Sequence, residues 1–316
     1  MRKVWELISA TFQEWLEDKA QRLGAALAYY AVFSLAPLLV IVVAITDRIY
    51  HGNSLDEIHY QVAGIIGINA ADAVVATMRT LQSTHHTGAA TTASIIVILI
   101  GATGAFGSLQ DAMNTIWEVT PKPRHFIVDL LRTRLVSFIM VFCFCLLLIL
   151  SVAASASLAV ASRYFGGLYP NTTTLWRFAD YALSLILTTL VFATLYKVLP
   201  DVRLHWSDVS IGAVATAVLF ELGRIPLALY LNHSTLSSAY GAAGSFMVLL
   251  AWIYYSAQIL FLGAEFTQVY AKRRGARLRP VRGAVFMTEA ARIHEGIPHA
   301  STIEEVRRKV HQRKPA

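Results

Sequence analysis

Five long stretches of the chain contain no Asp, Glu, Lys or Arg. They run from Leu23 to Thr46, Thr80 to Gln110, Leu135 to Ser162, Tyr181 to Tyr196 and Ile225 to Ala264. A helix that crosses a bilayer needs about 20 consecutive, mostly apolar residues. The last stretch is too long for one crossing, and its middle, Asn232 to Gly241, is polar and turn-like. It divides into the end of one span, a short loop and another span. The pattern therefore predicts six spans, at 24–46, 93–116, 135–161, 180–199, 209–231 and 244–270, in a membrane domain covering 24–270. Between the first two spans, 47–92 carries two shorter amphipathic patterns. Ile58, Val62 and Ile65 form one apolar stripe after a capping-box sequence, Ser54-Leu-Asp-Glu57, and Val74, Met78 and Leu81 form another. These predict a small extracytoplasmic helical hairpin. Ahead of the first span, Trp5, Ile8, Phe12 and Trp15 recur at helical spacing between charges. Residues 1–23 read either as an interfacial helix or as a cytoplasmic extension of the first span.

Composition agrees with lipid as part of the solvent. Apolar residues make up 56% of the 316 and charged residues 15%, with a mean hydropathy of +0.53. Soluble domains run nearer about 45–50% apolar and about 25% charged. Two cysteines exclude a disulfide scaffold. The charge distribution sets direction. With the N-terminus cytoplasmic, the segments 1–23, 118–134, 197–208 and 271–316 hold 22 of the 27 Lys and Arg. The positive-inside rule then places both termini in the cytoplasm. The basic tail, 271–316, suits anionic lipid, and Ser301-Thr-Ile-Glu304 could cap a last helix. Glu6, Glu14, Glu17 and Asp18 argue against a cleaved signal peptide.

Ionisable groups within spans are costly and mark candidate function. Asp111 and Asn114 fall late in the second span, Glu221 and Arg224 lie three apart in the fifth, and Glu265 is late in the sixth. The set reads as a polar cavity or proton relay, or as structural pairs that lock helices together. Pro37 and Pro226 are candidate helix breaks. Gly101, Gly104 and Gly107 suit close helix packing. Cys143 and Cys145 are two apart and point to nearly opposite sides of a helix, and His85-His86 lacks a carboxylate or third ligand nearby. No metal or cofactor is expected, since phosphate-loop, nucleophile-elbow and His-Glu-x-x-His motifs are missing from the sequence.

Four segments carry a family resemblance. They are GAALAYYAVFSLAPLL (24–39), LQDAMNTIWEV (109–119), LYKVLPDVRLHWSDVSIGA (195–213) and YGAAGSFMVLLAWIYYSAQILFLGAEF (240–266). In this order they resemble the YihY/BrkB family, once labelled ribonuclease BN, over roughly residues 1–275. The resemblance implies a six-helix, all-α protein of the bacterial inner membrane, and the family's virulence-factor name suggests a role in envelope integrity or serum resistance. The nuclease label finds no support in the residues. The ten His are scattered, metal-dependent hydrolysis needs clustered His and Asp, and nucleic acid is not an expected partner. Two expectations remain. One is a non-enzymatic transporter or flippase-like protein for an anionic or lipid envelope component. The other is a scaffold that uses 47–92 and the tail for contacts.

Overall fold

The computed structural model describes residues 2–32, 104–122, 173–233, 242–276 and 278–312, with single positions at 59, 72, 75, 79 and 157. The described chain is mostly helical. Helix α1 is Arg2–Glu17. A turn at Asp18 and Lys19 (φ 51°) leads into α2, residues 20–32. Helix α3 covers 104–116 and strand β1 is Val119–Pro121. Then come α4 (Thr173–Val198), β2 (Val202–Arg203), α5 (Trp206–His233) and α6 (Ala242–Arg273). Strands β3 (Arg279–Pro280) and β4 (Ala284–Phe286) precede α7 (Glu289–Glu295) and α8 (Ala300–Gln312).

Helices α4, α5 and α6 are apolar around most of their circumference, the pattern of a helix whose surroundings are apolar on every side. Each holds a segment long and apolar enough to cross a membrane: Tyr181–Val198, Trp206–Gly223 and Met247–Arg273. They coincide with the fourth, fifth and sixth expected spans. The expected third span, the loop histidines, Cys143, Cys145, Gly101 and Pro37 lie outside the described residues. In the 47–92 segment the described positions 59, 72, 75 and 79 are helical. His59 Nε2 and Asp72 Oδ1 are 2.7 Å apart, and Val75 is buried. Pro226 sits inside α5, which continues past it to His233.

Helix α1 is amphipathic, as Trp5, Ile8 and Phe12 predict. Val4, Trp5, Ile8, Phe12 and Leu16 are all exposed. They follow the i, i+4 spacing of one helix face. The all-α expectation needs a correction. Two antiparallel ribbons join the loops: β1 pairs with β4 (Val119↔Phe286) and β2 with β3 (Val202↔Pro280). Strands of two or three residues are too short to carry a readable alternation. The expected cap of the last helix also moves. Helix α8 starts at Ala300, with Ser301 inside it, and the Ala300 N–H donates to Glu17 Oε2 at 3.2 Å. Helix α7 is capped at both ends. Thr288 Oγ1 accepts from Ala291 N, and Gly296 closes the C-terminus in the left-handed region at φ 76°.

The chain forms two compact units. One comprises Arg22–Leu109 and Leu219–Ile259. In it Gly104 lies against the ring of Tyr30, and Gly223 against Ile259 and Tyr255. The other comprises Met1–Gln21, Gln110–Val218 and Leu260–Ala316. Its core includes Met113, Ile116, Trp117, Tyr196, Phe261 and Ile297. Within this second unit α5 and α6 meet through a reciprocal pair of small residues. A Cβ on Gly212 would collide with Thr267, and one on Gly263 with Thr216 and the Tyr196 hydroxyl. Each threonine turns its hydroxyl back to the glycine one turn earlier, Thr216 to Gly212 O at 2.7 Å and Thr267 to Gly263 O at 2.6 Å. Small residues let the two backbones approach, and each threonine fills the contact with its methyl and with a hydroxyl already bonded to its own helix. Tyr196 of α4 completes it, donating to Leu260 O at 2.8 Å and sharing a 3.0 Å bond with Thr216.

A buried charge cluster as the candidate functional site

The segment after α4 turns sharply because its own side chains close it. Lys197 Nζ donates to the Leu204 carbonyl and lies 5.7 Å from the centroid of the Trp206 ring. This presents Asp201 to α3. Asn114 Nδ2 donates to Asp201 Oδ2 at 3.1 Å, while the Asp201 N–H donates to Asn114 Oδ1 at 2.8 Å. Gln110 Nε2 adds a longer contact to the same carboxylate at 3.4 Å. The Asp201 carbonyl accepts from Val281 N, which ties in the β2–β3 ribbon. Both polar ends of the buried Asn114 amide are thereby satisfied, which a buried amide requires.

Along α6, Glu265, Gln268 and Lys272 fall on one stripe. Gln268 Nε2 donates to the carbonyl of Ile116 at the end of α3. Lys272 Nζ meets Glu118 Oε1 at 2.9 Å. Glu118 itself has φ 52°, a left-handed backbone that ends α3 and starts β1. Glu265 is fully buried, and among the described residues neither of its carboxylate oxygens has a hydrogen-bond partner.

The turn between α1 and α2 brings in Asp18. Arg292 of α7 donates from Nη2 to Asp18 Oδ1 at 2.7 Å, with the two side chains 1% and 3% exposed. Arg292 Nε and Nη1, and the indole N–H groups of Trp15 and Trp117, are buried without partners among the described residues. Burial pushes the Asp18 carboxyl up to about 6 against the opposing pull of Arg292. Nearby, His299 bridges two acids. Its backbone N–H donates to Glu289 Oε1 at 3.1 Å, Nδ1 bonds Glu289 Oε2, and Nε2 lies 3.5 Å from Glu118. Partial burial would raise Glu118, but Lys272, Arg292 and His299 outweigh it and hold the carboxyl below its usual range. The hydrogen bonds from His299 and Thr302 depress Glu289 to about 2. For His299, desolvation is outweighed by Glu289 and Glu118, and the imidazole is held above its ordinary value.

These shifts fix a pH dependence. A raised histidine stabilises fully below about pH 6.5 and loses that contribution as pH climbs through the folded value. A depressed carboxylate stabilises above its ordinary value and loses it only near pH 2. The anchor of α8 is therefore firmest in mildly acidic solution and loosens on the alkaline side. Protease release of α8 between pH 6 and 9 is expected to rise with pH in the parent protein and to be flat in His299→Gln. Parallel profiles in the two proteins would refute the anchor.

Of the residues expected from sequence, the structure brings Asn114 and Glu265 into this unit, with Asp111 exposed on α3. Glu221 belongs to the other unit, and the Arg224 side chain lies outside the described residues. Sequence reasoning missed Asp18, Glu118, Asp201, Gln268, Lys272 and Arg292. All but Gln268 sit in charged or loop-like stretches, where an ionisable residue looks ordinary. Among the described residues no His, Cys, Asp and Glu group has a metal-binding arrangement.

Three of the four family-like segments meet here, through Asn114, Asp201 and Glu265. A sequence model of the family described as virulence factor BrkB matches residues 11–285. The chain belongs to that family. Similar proteins carry the name UPF0761 membrane protein. One from Photobacterium profundum is 26% identical over 258 residues, covering 81% of this chain and 78% of that protein. One from Tolumonas auensis is 39% identical over 74 residues, 23% of this chain and 24% of that protein. One from Glaesserella parasuis is 25% identical over 166 residues, 51% and 55% respectively. The aligned part thus spans less than two thirds of the Tolumonas and Glaesserella proteins. No solved structure matches the chain. As a BrkB-family protein with three helices fit to cross a bilayer among the described residues, this is a membrane protein. The family match takes in Asp18, Glu118, Asp201 and Glu265 and stops before Arg292 and His299.

Proposed function

We propose that this BrkB-family protein is a transporter or flippase-like protein of the bacterial inner membrane. It moves an anionic or amphipathic envelope component and carries out no covalent chemistry on it. In this reading six spans cross the bilayer, both termini are cytoplasmic, and 47–92 faces outward. The observation that carries the reading is Glu265, a fully buried carboxyl without a partner among the described residues, in a long apolar helix. An ionisable residue is retained in such a place against a large desolvation cost, and proton relays and substrate pathways are the common reason. The exposed apolar face of α1 and the basic residues of the tail suit the anionic cytoplasmic leaflet.

The test is reconstitution of the full chain into vesicles with fluorescent anionic and zwitterionic lipids in the inner leaflet. Movement of the anionic probe is expected to exceed that in empty vesicles, and Glu265→Gln, inserted to the same level, is expected to lose at least about tenfold, the effect of roughly 1.4 kcal/mol. Equal movement in protein-containing and empty vesicles across the lipid panel would remove the transport reading. A scaffold role draws on a different observation, the folding of residues 278–312 into ribbons and helices rather than a loose tail. Cross-linking to an envelope partner would support it.

A further inference from the structure

Two parts of the chain besides α6 supply charges around Glu265. Asp18 and Glu14 come from α1 and the turn after it, Glu118 comes from the α3–β1 junction, and Lys272 lies two turns along α6 itself. Arg292 of α7 stands beyond Asp18 and pairs with it. His299, ahead of α8, is occupied by Glu289 and Glu118. Glu265 therefore faces three carboxylates and one ammonium, out of reach of solvent, with no donor on either oxygen among the described residues. Its stripe on α6 points at the end of α3, because Gln268 and Lys272 on that stripe are bonded there.

An ionised carboxylate in that position would lack both water and hydrogen bonds and would be repelled by its neighbours. The neutral acid meets neither cost. A second, independent feature points to the same place. The Arg292 guanidinium, itself buried, spends one nitrogen on Asp18 and leaves Nε and Nη1 without acceptors among the described residues. A fixed positive charge is thus bonded to one carboxylate of the cluster, while among the described residues no donor is bonded to Glu265, and Lys272 near it is spent on Glu118.

We propose that Glu265 forms a proton-binding site, with the proton carried as the Glu265 carboxylic acid and Asp18, anchored by Arg292, as a neighbouring charge that tunes how tightly it is held. The proton comes from hydronium: one of its O–H bonds breaks, leaving water, as an O–H bond forms on a Glu265 carboxylate oxygen. Release to water reverses this. As the coupling ion of transport, the proton rests on the reading in the preceding section; as a bound proton, it does not.

Infrared spectroscopy of the full chain purified in detergent micelles tests the site without any transported substrate, so a failed flux assay and a failed infrared assay are separate results. At neutral pH the parent protein is expected to show a carboxylic-acid C=O stretch that shifts on exchange into D2O. Glu265→Gln is expected to lose that band while keeping its helical circular dichroism. Glu265→Asp, which retains the acid, is expected to keep a band at a displaced frequency, and this holds the test open should the glutamine variant fail to fold. Asp18→Asn is expected to keep the band but to titrate it at a pH displaced by about one unit or more, because one neighbouring charge is gone. No protonated-carboxyl band in the parent protein, or the same band in Glu265→Gln, would overturn the proposal. Identical titration in Asp18→Asn would overturn the part assigned to Asp18.

Discussion

Replacing Arg292 with alanine is expected to destabilise the docking of α7 by about 3–5 kcal/mol, the usual cost of removing one partner from a buried ion pair. Asp18 and Arg292 are each almost fully buried, so the surviving carboxylate keeps its desolvation cost and loses the charge that offset it. The loss depends on pH. Burial already pushes Asp18 up to about 6 with the arginine in place. Without the arginine the carboxyl takes a proton more readily, so the deficit is full only on the alkaline side of the variant's own, higher value and shrinks as pH falls from there toward about 6. Amide exchange across residues 289–300 at pH 5.5 and 8 measures this directly. Protection is expected to collapse in Arg292→Ala at the higher pH and to recover in part at the lower. Asp18→Leu with Arg292→Met, which replaces the pair by apolar groups, is expected to be close to neutral. Unchanged protection in Arg292→Ala would mean that the pair holds nothing in place.

The second large effect is expected at Gly263. Valine there drives its methyl groups into Thr216 and the Tyr196 hydroxyl. Overpacking alone costs about 1–3 kcal/mol, and displacing Tyr196 from Leu260 O leaves a buried hydroxyl unsatisfied, for about 1–3 kcal/mol more. The folded, monodisperse fraction in detergent and its thermal midpoint should both fall. Gly263→Ala combined with Thr216→Ala should recover part of the loss, because the threonine hydroxyl and methyl are the atoms in the way. Gly107→Ala is the contrasting case. Among the described residues no atom outside its own helix backbone lies within 4 Å of its added Cβ, and alanine is the better helix former by about 1 kcal/mol. A midpoint that is unchanged or slightly raised is expected. If Gly263→Val and Gly107→Ala behave alike, α5 and α6 do not meet closely at Gly263.

The contrast between these glycines shows what was legible in the sequence. Helices α4, α5 and α6 could be read because length and apolarity act over twenty residues at once. Their ends, Thr173–Val198, Trp206–His233 and Ala242–Arg273, lie within a few residues of 180–199, 209–231 and 244–270 on most sides. The glycine spacing at 101, 104 and 107 is visible too, yet among the described residues nothing stands against Gly107. The tight contact uses Gly212 with Thr216 and Gly263 with Thr267, where the functional partner is a threonine on another helix. Spacing along one helix cannot say which face meets a neighbour. Asn114 and Glu265 stood out because a polar group in an apolar run is anomalous. Asp18 did not, since it follows Glu14 and Glu17 in a charged stretch. Its burial is created by α7, which comes from the far end of the chain. Arg292 was one of many basic residues in a segment read as a tail.

The pairing of Asp18 with Arg292 joins positions 274 apart in the chain. The ribosome delivers the acid well before its counter-charge. Every apolar helix between them must be inserted while Asp18 still stands in water or on its own. The contact that ties the turn after α1 to α7 thus forms only once the helices between them have emerged, and it couples the order of α1 to the arrival of α7.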